Sequence, residues 1–165
     1  MTGISQGVGR LGTAARVLAL LAASAVAGSA TAAPRSGEIG FEIHPTHNVI
    51  LVDVVIDGKR VTMILDTGAT RTIVSPEAIG LSPARLRRAE LQSRGPGFKG
   101  NGMWERVDLR VGDLRWSDHA VVVMEFGAVR QAYGEQVQGL LGQDVLCQIG
   151  SIELDFEARR IRWRR

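Results

Sequence analysis

The chain has 165 residues and a net charge of +3 at neutral pH, a length that suits about one domain with a buried core. Residues 1–33 contain two basic residues, Arg10 and Arg16, and no acidic residue. The rest of the chain therefore has a net charge of 3 − 2 = +1. This near-neutral charge argues against a general polyanion-binding surface, and no nucleic-acid partner is expected. Cys147 is the only cysteine, so the chain cannot form an internal disulfide. The simplest interpretation of Cys147 is a buried, inert thiol.

Residues 1–33 have the layout of a secretory signal. Arg10 and Arg16 precede the apolar run VLALLAASAVAG at 17–28, and Ala30 and Ala32 give an A-x-A cleavage pattern. We therefore expect an exported protein, periplasmic or secreted, that begins near Ala33. An uncleaved membrane anchor over residues 17–33 is the alternative, although the run is shorter than the roughly 20 apolar residues of a membrane span.

Residues 34–47 are predicted to be a linker or loosely held arm, and residues 48–165 a single all-β domain. The domain opens with NVILVDVVI and KRVTMIL on either side of Asp57-Gly58. An Asp-Gly pair between β-branched runs is a strong hairpin signal, because both turn residues must tolerate positive φ. The hairpin should pair Ile56 with Lys59 and Val54 with Val61.

Further elements follow in quick succession. Ser75-Pro76 and Ser82-Pro83 each predict a short helix with a serine cap and a proline in the first turn. The segment SRGPGFKGNG at 93–102 is too rich in glycine to predict regular structure. The remaining predictions are strands at 72–74, 103–111, 114–116 and 120–126, a polar loop at 127–138, the apolar segment GLLG at 139–142 and a helix near 144–148.

The chain ends with five arginines in the seven residues 159–165. Alternation explains them better than a binding patch does, because apolar and charged residues alternate on both sides of a turn. A four-residue turn at 157–160 would pair residues of like kind: Phe156 with Ile161, Asp155 with Arg162, Leu154 with Trp163, and Glu153 with Arg164.

The stretch ILDTGATRTIVS at 64–75 places a carboxylate between two apolar runs. Asp-Thr-Gly alone is ordinary turn chemistry. Here the motif D-T-G-A follows a hairpin and precedes, by some 70 residues, LLGQDVL at 140–146. In this order, from about Val49 to Phe156, the chain resembles the retropepsin-like (retroviral-type) aspartic proteases.

The resemblance implies an all-β, closed-barrel acid-protease fold and a role for each motif residue. Asp66 would activate water, the Thr67 hydroxyl would brace two active-site loops against each other, and Gly68 would let the backbone approach closely. Ala69 would line the substrate channel. Leu140, Leu141 and Gly142 would pack beneath the loop as structural support. The glycine-rich segment stands where the family has a mobile flap that closes over substrate, so Gly97, Phe98 and Lys99 would bind substrate; a passive loop is the alternative.

One carboxyl is not sufficient for peptide hydrolysis, which needs a base for water and an acid for the carbonyl oxygen and the leaving amine. Since the chain has one D-T-G, the second carboxyl would come from another copy across a two-fold axis. The sequence thus predicts a homodimeric aspartic endopeptidase that acts on extended peptides without a cofactor. Retroviral enzymes interleave their termini, whereas the terminal hairpin predicted here implies another dimer surface or a weak dimer.

Two other possibilities stay open at this point. The same barrel could be a non-catalytic periplasmic binding or assembly module in which Asp66 makes turn hydrogen bonds only. His44 and His47 have a spacing found in some metal sites, but Pro45 separates them and no third ligand accompanies them, while His119 stands alone. No metal site is predicted.

Overall fold

The computed structural model describes residues 36–87, 91–95 and 98–164, with the backbone alone for residues 83, 91–95 and 98–101. These residues belong to one compact unit, Ala33–Arg165. The strands are β1 (Ser36–Gly40), β2 (Glu42–Ile43), β3 (Ile50–Ile56), β4 (Lys59–Leu65), β5 (Ile73–Val74), β6 (Leu91–Gly95), β7 (Phe98–Val111), β8 (Leu114–Met124), β9 (Val137–Leu141), β10 (Ser151–Asp155) and β11 (Arg160–Arg164). The helices are a 3₁₀ turn (Pro76–Ile79), α1 (Pro83–Leu86), α2 (Gly127–Tyr133) and α3 (Gln143–Ile149).

Six of these strands close into a ring. The order is β3-β4-β9-β5-β8-β7, and β7 pairs back onto β3. β2 extends the sheet beside β3, and β6 extends it beside β7. The predicted all-β, closed-barrel fold is therefore confirmed. Among the described residues, no helix is long and apolar enough to cross a membrane.

The β3–β4 hairpin forms as predicted. Asp57 and Gly58 have φ angles of 48° and 82°, the positive values that a two-residue hairpin turn requires. Ile56 pairs with Lys59 and Val54 with Val61. Alternate side chains of the two strands are buried in the barrel. β4 ends at Leu65, so Asp66 follows the hairpin directly.

The described part of the predicted linker or arm at 34–47, residues 36–47, contains two paired strands. Residues 36–40 form β1, which pairs with β11, and residues 42–43 form β2, which pairs with β3. The physical reason is tight packing: a Cβ at Gly37 would lie 2.5 Å from Trp163 Cζ2, and Phe41 is buried. The order β1-β11-β10 makes a small second sheet.

The terminal hairpin forms in a different register from the predicted one. Leu154 pairs with Ile161 and Asp155 with Arg160, so the partners are displaced by two residues. The turn starts earlier because Asp155 Oδ1 accepts the Ala158 N–H at 2.8 Å and Arg159 adopts a φ of 55°. A two-residue shift preserves the two faces.

Phe156 leaves the strand in this register. It is 55% exposed and its ring stands edge-on against Phe41, with centroids 5.7 Å apart. Arg162 nevertheless lies among acids, as the alternation indicated: its guanidinium is 2.9 Å from Asp155, 3.2 Å from Glu153 and 3.5 Å from Glu38.

These contacts make the stability of the hairpin depend on pH. The Ala158 N–H and the Arg162 guanidinium hold the pKa of Asp155 below its ordinary value of 3.8. A lowered folded-state pKa stabilises the fold fully above the ordinary value and loses that contribution as the pH falls through the folded one. We expect Asp155→Asn to be less stable than wild type at neutral pH, with a difference that shrinks in acid. Urea unfolding of both proteins checks this; a constant difference down to about pH 2 would contradict it.

Two segments without predicted regular structure are regular. Of the glycine-rich segment, residues 93–95 lie in β6 and residues 98–102 in β7, where Ser93 pairs with Gly100 and Gln92 with Asn101. A Cβ at Gly102 would lie 3.2 Å from Met124 Cγ, so this glycine permits close strand packing. The predicted polar loop 127–138 contains α2 and the start of β9, because Val129 and Tyr133 lie four residues apart on one helix face.

Smaller predictions have mixed outcomes. The helices at Pro76, Pro83 and Asp144 are confirmed, the first with Ser75 Oγ accepting the Ala78 N–H. The two strands predicted at 114–116 and 120–126 are one strand, β8. Cys147 is exposed, so the prediction of a buried thiol is wrong. It lies on the outer side of α3, whose inner side buries Val145, Leu146 and Ile149.

Candidate active site

Asp66 begins the loop that follows β4. Its N–H donates to the Leu141 carbonyl at 3.0 Å, and its Oδ1 accepts the Gly68 N–H at 2.8 Å. The Asp66 carbonyl accepts the Ala69 N–H at 3.3 Å. The side chain is half-buried while Thr67 and Gly68 are exposed, so the loop presents a fixed carboxylate at the surface of the barrel.

Leu140, Leu141 and Gly142 lie directly against this loop. β9 runs parallel to β4, with Ile64 opposite Leu140 and Leu65 opposite Leu141. Both leucines are buried, at 5% and 1% exposure. Gly142 lies so close to the chain that a Cβ there would be 2.5 Å from the Arg71 carbonyl carbon and oxygen.

Gln143 fastens the same loop by its backbone and its side chain. Its N–H donates to the Ala69 carbonyl at 2.8 Å, and its side-chain amide donates to the Thr67 carbonyl. Residues 141–143 thus hold the loop 66–69 by three backbone groups: the Asp66 N–H, the Thr67 carbonyl and the Ala69 carbonyl. Such preorganisation is what a reacting carboxylate needs.

A buried polar cluster that the sequence did not indicate lies behind the loop. Thr72 is fully buried, and its hydroxyl donates to Asp144 Oδ1 at 2.7 Å. Asp144 Oδ2 lies 3.3 Å from His119 Nε2. Thr72 and Asp144 are 72 residues apart in sequence, so no local pattern could have joined them.

An open cavity of about 660 Å³ adjoins Asp66. One wall is β3 and β4, and the other is α2, which sequence analysis missed. The spacing of Val129 and Tyr133 was the one signal for it. The lining is mostly apolar: Val49, Ile50, Ile64, Leu65, Ala128, Val129, Ala132, Tyr133, Leu140 and Leu154, with Asn48, Asp66 and Thr67 as its polar members.

Comparison with known proteins decides the family. The family model described as "Aspartyl protease" matches residues 52–145, a range that contains the Asp66 loop, α2 and the segment 140–142. The chain belongs to the aspartyl protease family. A search of the curated proteins finds no matching sequence.

The fold of this aspartyl protease family member is that of the retropepsins. A retropepsin-like aspartic protease from Rickettsia conorii superposes with a TM-score of 0.56 at 12% identity, over 79% of this chain and 92% of that one. Two further similar structures are the retroviral protease-like domain of Ddi1 from Leishmania major (TM-score 0.41, 17% identity, 66% and 82% coverage) and the EIAV protease with the inhibitor HBY-793 (0.39, 19%, 65% and 93%).

The predicted flap residues of this family member are only partly described. Phe98 pairs with Gly95 and Lys99 with Arg94 in the β6–β7 hairpin, while Gly97 lies outside the described residues. At the base of this hairpin Trp104 is 47% exposed, and the Arg71 guanidinium lies 5.6 Å from its ring centroid.

The histidines of this family member do not form a metal site in the part of the chain that the structure describes. No group of three or more His, Cys, Asp or Glu residues could hold a metal ion there. His44 and His47 instead pack with Tyr133, with ring centroids 5.8 and 4.9 Å from it. The cluster attaches the turn before β3 to α2.

Proposed function

We propose that this protein is an aspartic endopeptidase that hydrolyses peptide bonds as a homodimer. The observation that carries the proposal is the Asp66 loop at the edge of an open apolar cavity. The half-buried carboxylate accepts the Gly68 N–H, and the Asp66 backbone N–H is held by the Leu141 carbonyl. Membership of the aspartyl protease family supports this chemistry.

The dimer follows from the chemistry. In each catalytic cycle one carboxylate takes a proton from water while its protonated partner gives its proton to the substrate carbonyl oxygen. The first carboxyl then gives the proton from water to the leaving amine, and the partner regains a proton from a hydroxyl of the tetrahedral intermediate. Two adjacent carboxyls reach opposite protonation states because they repel and share one proton. Each chain supplies one D-T-G loop, so two copies of Asp66 meet across a two-fold axis.

The exposed side of the loop suits that axis. Thr67 and Gly68 are exposed, whereas β1 and β10 already flank β11 in the small terminal sheet. We propose that the D-T-G loops meet at the dimer centre, with Thr67 of each copy bracing the other loop. A substrate would bind as an extended strand, with its side chains in pockets such as the cavity beside α2.

The test is digestion of a peptide library over a range of protein concentrations, with sedimentation of the same samples. We expect specific activity to rise where dimer forms, and a statine-type mimic of the hydrated transition state to block it. Absence of cleavage at concentrations where sedimentation shows dimer would overturn the proposal and favour a non-catalytic binding module.

Export is proposed on the sequence alone. The leader pattern at 1–33, with the A-x-A site before Ala33, supports a periplasmic or secreted protein. A peptidase of this kind would then meet its substrates outside the cytoplasm.

A further inference from the structure

The buried cluster His119, Asp144 and Thr72 joins three separate parts of the chain. His119 lies on β8, Asp144 on α3, and Thr72 immediately before β5. The side chains of His119 and Asp144 are 13% and 6% exposed, and Thr72 is 0% exposed. Buried polar groups of this kind are stable only when hydrogen-bonded, so each contact in the cluster restricts the others.

The Asp144 carboxylate is the centre of the cluster. Its Oδ1 accepts the Thr72 hydroxyl at 2.7 Å and the Val145 N–H at 3.0 Å. Its Oδ2 lies 3.3 Å from His119 Nε2. A carboxylate only accepts hydrogen bonds, so the imidazole nitrogen that faces it is the donor. Among the described residues, His119 is therefore the one side chain that donates a hydrogen bond to Asp144 Oδ2.

Asp144 in turn fixes the direction of the Thr72 hydroxyl. Because the hydroxyl proton is directed at Asp144, the oxygen lone pairs are free to accept, and they accept the Gly142 N–H at 3.2 Å. The Thr72 carbonyl also accepts the Val122 N–H of β8 at 3.0 Å. Thr72 is thus fastened to β8 and to Gly142 together.

Gly142 lies between the two residues that fasten the catalytic loop. Leu141, before it, accepts the Asp66 N–H, and Gln143, after it, donates to Ala69. Any rotation of the Gly142 peptide therefore moves both attachments of the loop. We propose that His119 is a positioning residue for Asp66: its Nε2–H holds Asp144, which orients Thr72 and through it Gly142. The catalytic part of this inference rests on the proposed peptidase function; the bracing of the loop does not.

The experiment compares variants of His119 whose side chains differ in whether they can place a hydrogen-bond donor beside Asp144. A glutamine amide nitrogen can occupy the place of His119 Nε2, an asparagine amide is shorter, and leucine has no donor. The first readout is hydrogen exchange at the amides of Asp66, Gly142 and Gln143, which needs no substrate. We expect exchange about tenfold faster in His119→Asn and His119→Leu, and near wild type in His119→Gln, as loss of one buried hydrogen bond to a charged group implies.

The second readout is peptide cleavage. A misplaced carboxylate lowers kcat more than it raises KM, so we expect kcat to fall about tenfold in His119→Asn, with recovery to within about threefold in His119→Gln. Trp116→Phe is the matched control: it removes another bond between β8 and α3, from Trp116 Nε1 to Gln148 Oε1 at 3.0 Å, and should leave exchange at Gly142 unchanged.

The outcomes separate the two proposals. Wild-type exchange at Gly142 and Gln143 in His119→Asn would overturn the bracing role, as would equal acceleration in Trp116→Phe. If His119→Leu does not fold, the Gln and Asn pair still decides the question. Altered exchange in His119→Asn without cleavage by any protein, wild type included, would uphold the bracing role and reject the peptidase.

Discussion

Asp66→Asn is expected to reduce peptide cleavage by about a thousandfold or more while the fold stays intact. An amide cannot take a proton from water or pass one on, and positioned acid–base groups contribute about 10²- to 10⁴-fold to rate. The loop should persist, because an asparagine Oδ1 can still accept the Gly68 N–H that Asp66 accepts at 2.8 Å. The measurement is the rate of peptide cleavage beside urea unfolding of both proteins.

Asp57→Asn is the matched control for that change. Asp57 lies at the opposite end of β4, where its Oδ1 accepts the Asp108 N–H at 2.8 Å, and asparagine suits the same positive-φ turn. Cleavage by Asp57→Asn should equal that of wild type. Equal cleavage by Asp66→Asn and wild type would remove Asp66 from the mechanism.

Gly142→Ala is expected to cause the largest loss of stability among single-methyl changes near the site. The added Cβ would lie 2.5 Å from the Arg71 carbonyl group and 2.9 Å from the Thr72 nitrogen, and these are backbone atoms that cannot rotate away. Overpacking of this kind costs about 1–3 kcal/mol. Urea unfolding measures the loss, and cleavage should fall with it because Leu141 and Gln143 are displaced together.

Gly127→Ala is its control, since a Cβ at Gly127 would meet nothing within 4 Å. Alanine at the start of α2 should leave stability within about 0.5 kcal/mol of wild type or raise it slightly. If Gly142→Ala were as stable as Gly127→Ala, the close packing of residues 141–143 on the Asp66 loop would be refuted.

The features that could be predicted from sequence are local ones. The Asp57-Gly58 turn specifies the β3–β4 hairpin because both of its residues need positive φ, and the hairpin delivers Asp66 to the loop. The serine before the 3₁₀ turn and the proline that begins it are likewise a short-range signal. The D-T-G-A motif and the segment 140–142 were recognisable by their order, although nothing in their spacing shows that Leu141 receives the Asp66 N–H.

The features that could not be predicted depend on partners far away in sequence. β1 was missed because its strand pairing is with β11, more than a hundred residues later. The terminal register depended on a side-chain bond, from Ala158 to Asp155, that competes with strand pairing. α2 is only seven residues long and begins with glycine, so fewer than two full turns were available in which the face that packs beside Asp66 could be recognised. The cluster of His119, Asp144 and Thr72 exists only after the barrel has closed.

The shared site is tested most directly by mixing wild type with Asp66→Asn at constant total protein and allowing the subunits to exchange. If each centre needs one Asp66 from each copy, mixed dimers are inactive and activity falls with the square of the wild-type fraction, so an equal mixture retains about one quarter of the activity. Activity of about one half, in direct proportion to wild type, would show that a single chain cleaves alone and would contradict the account.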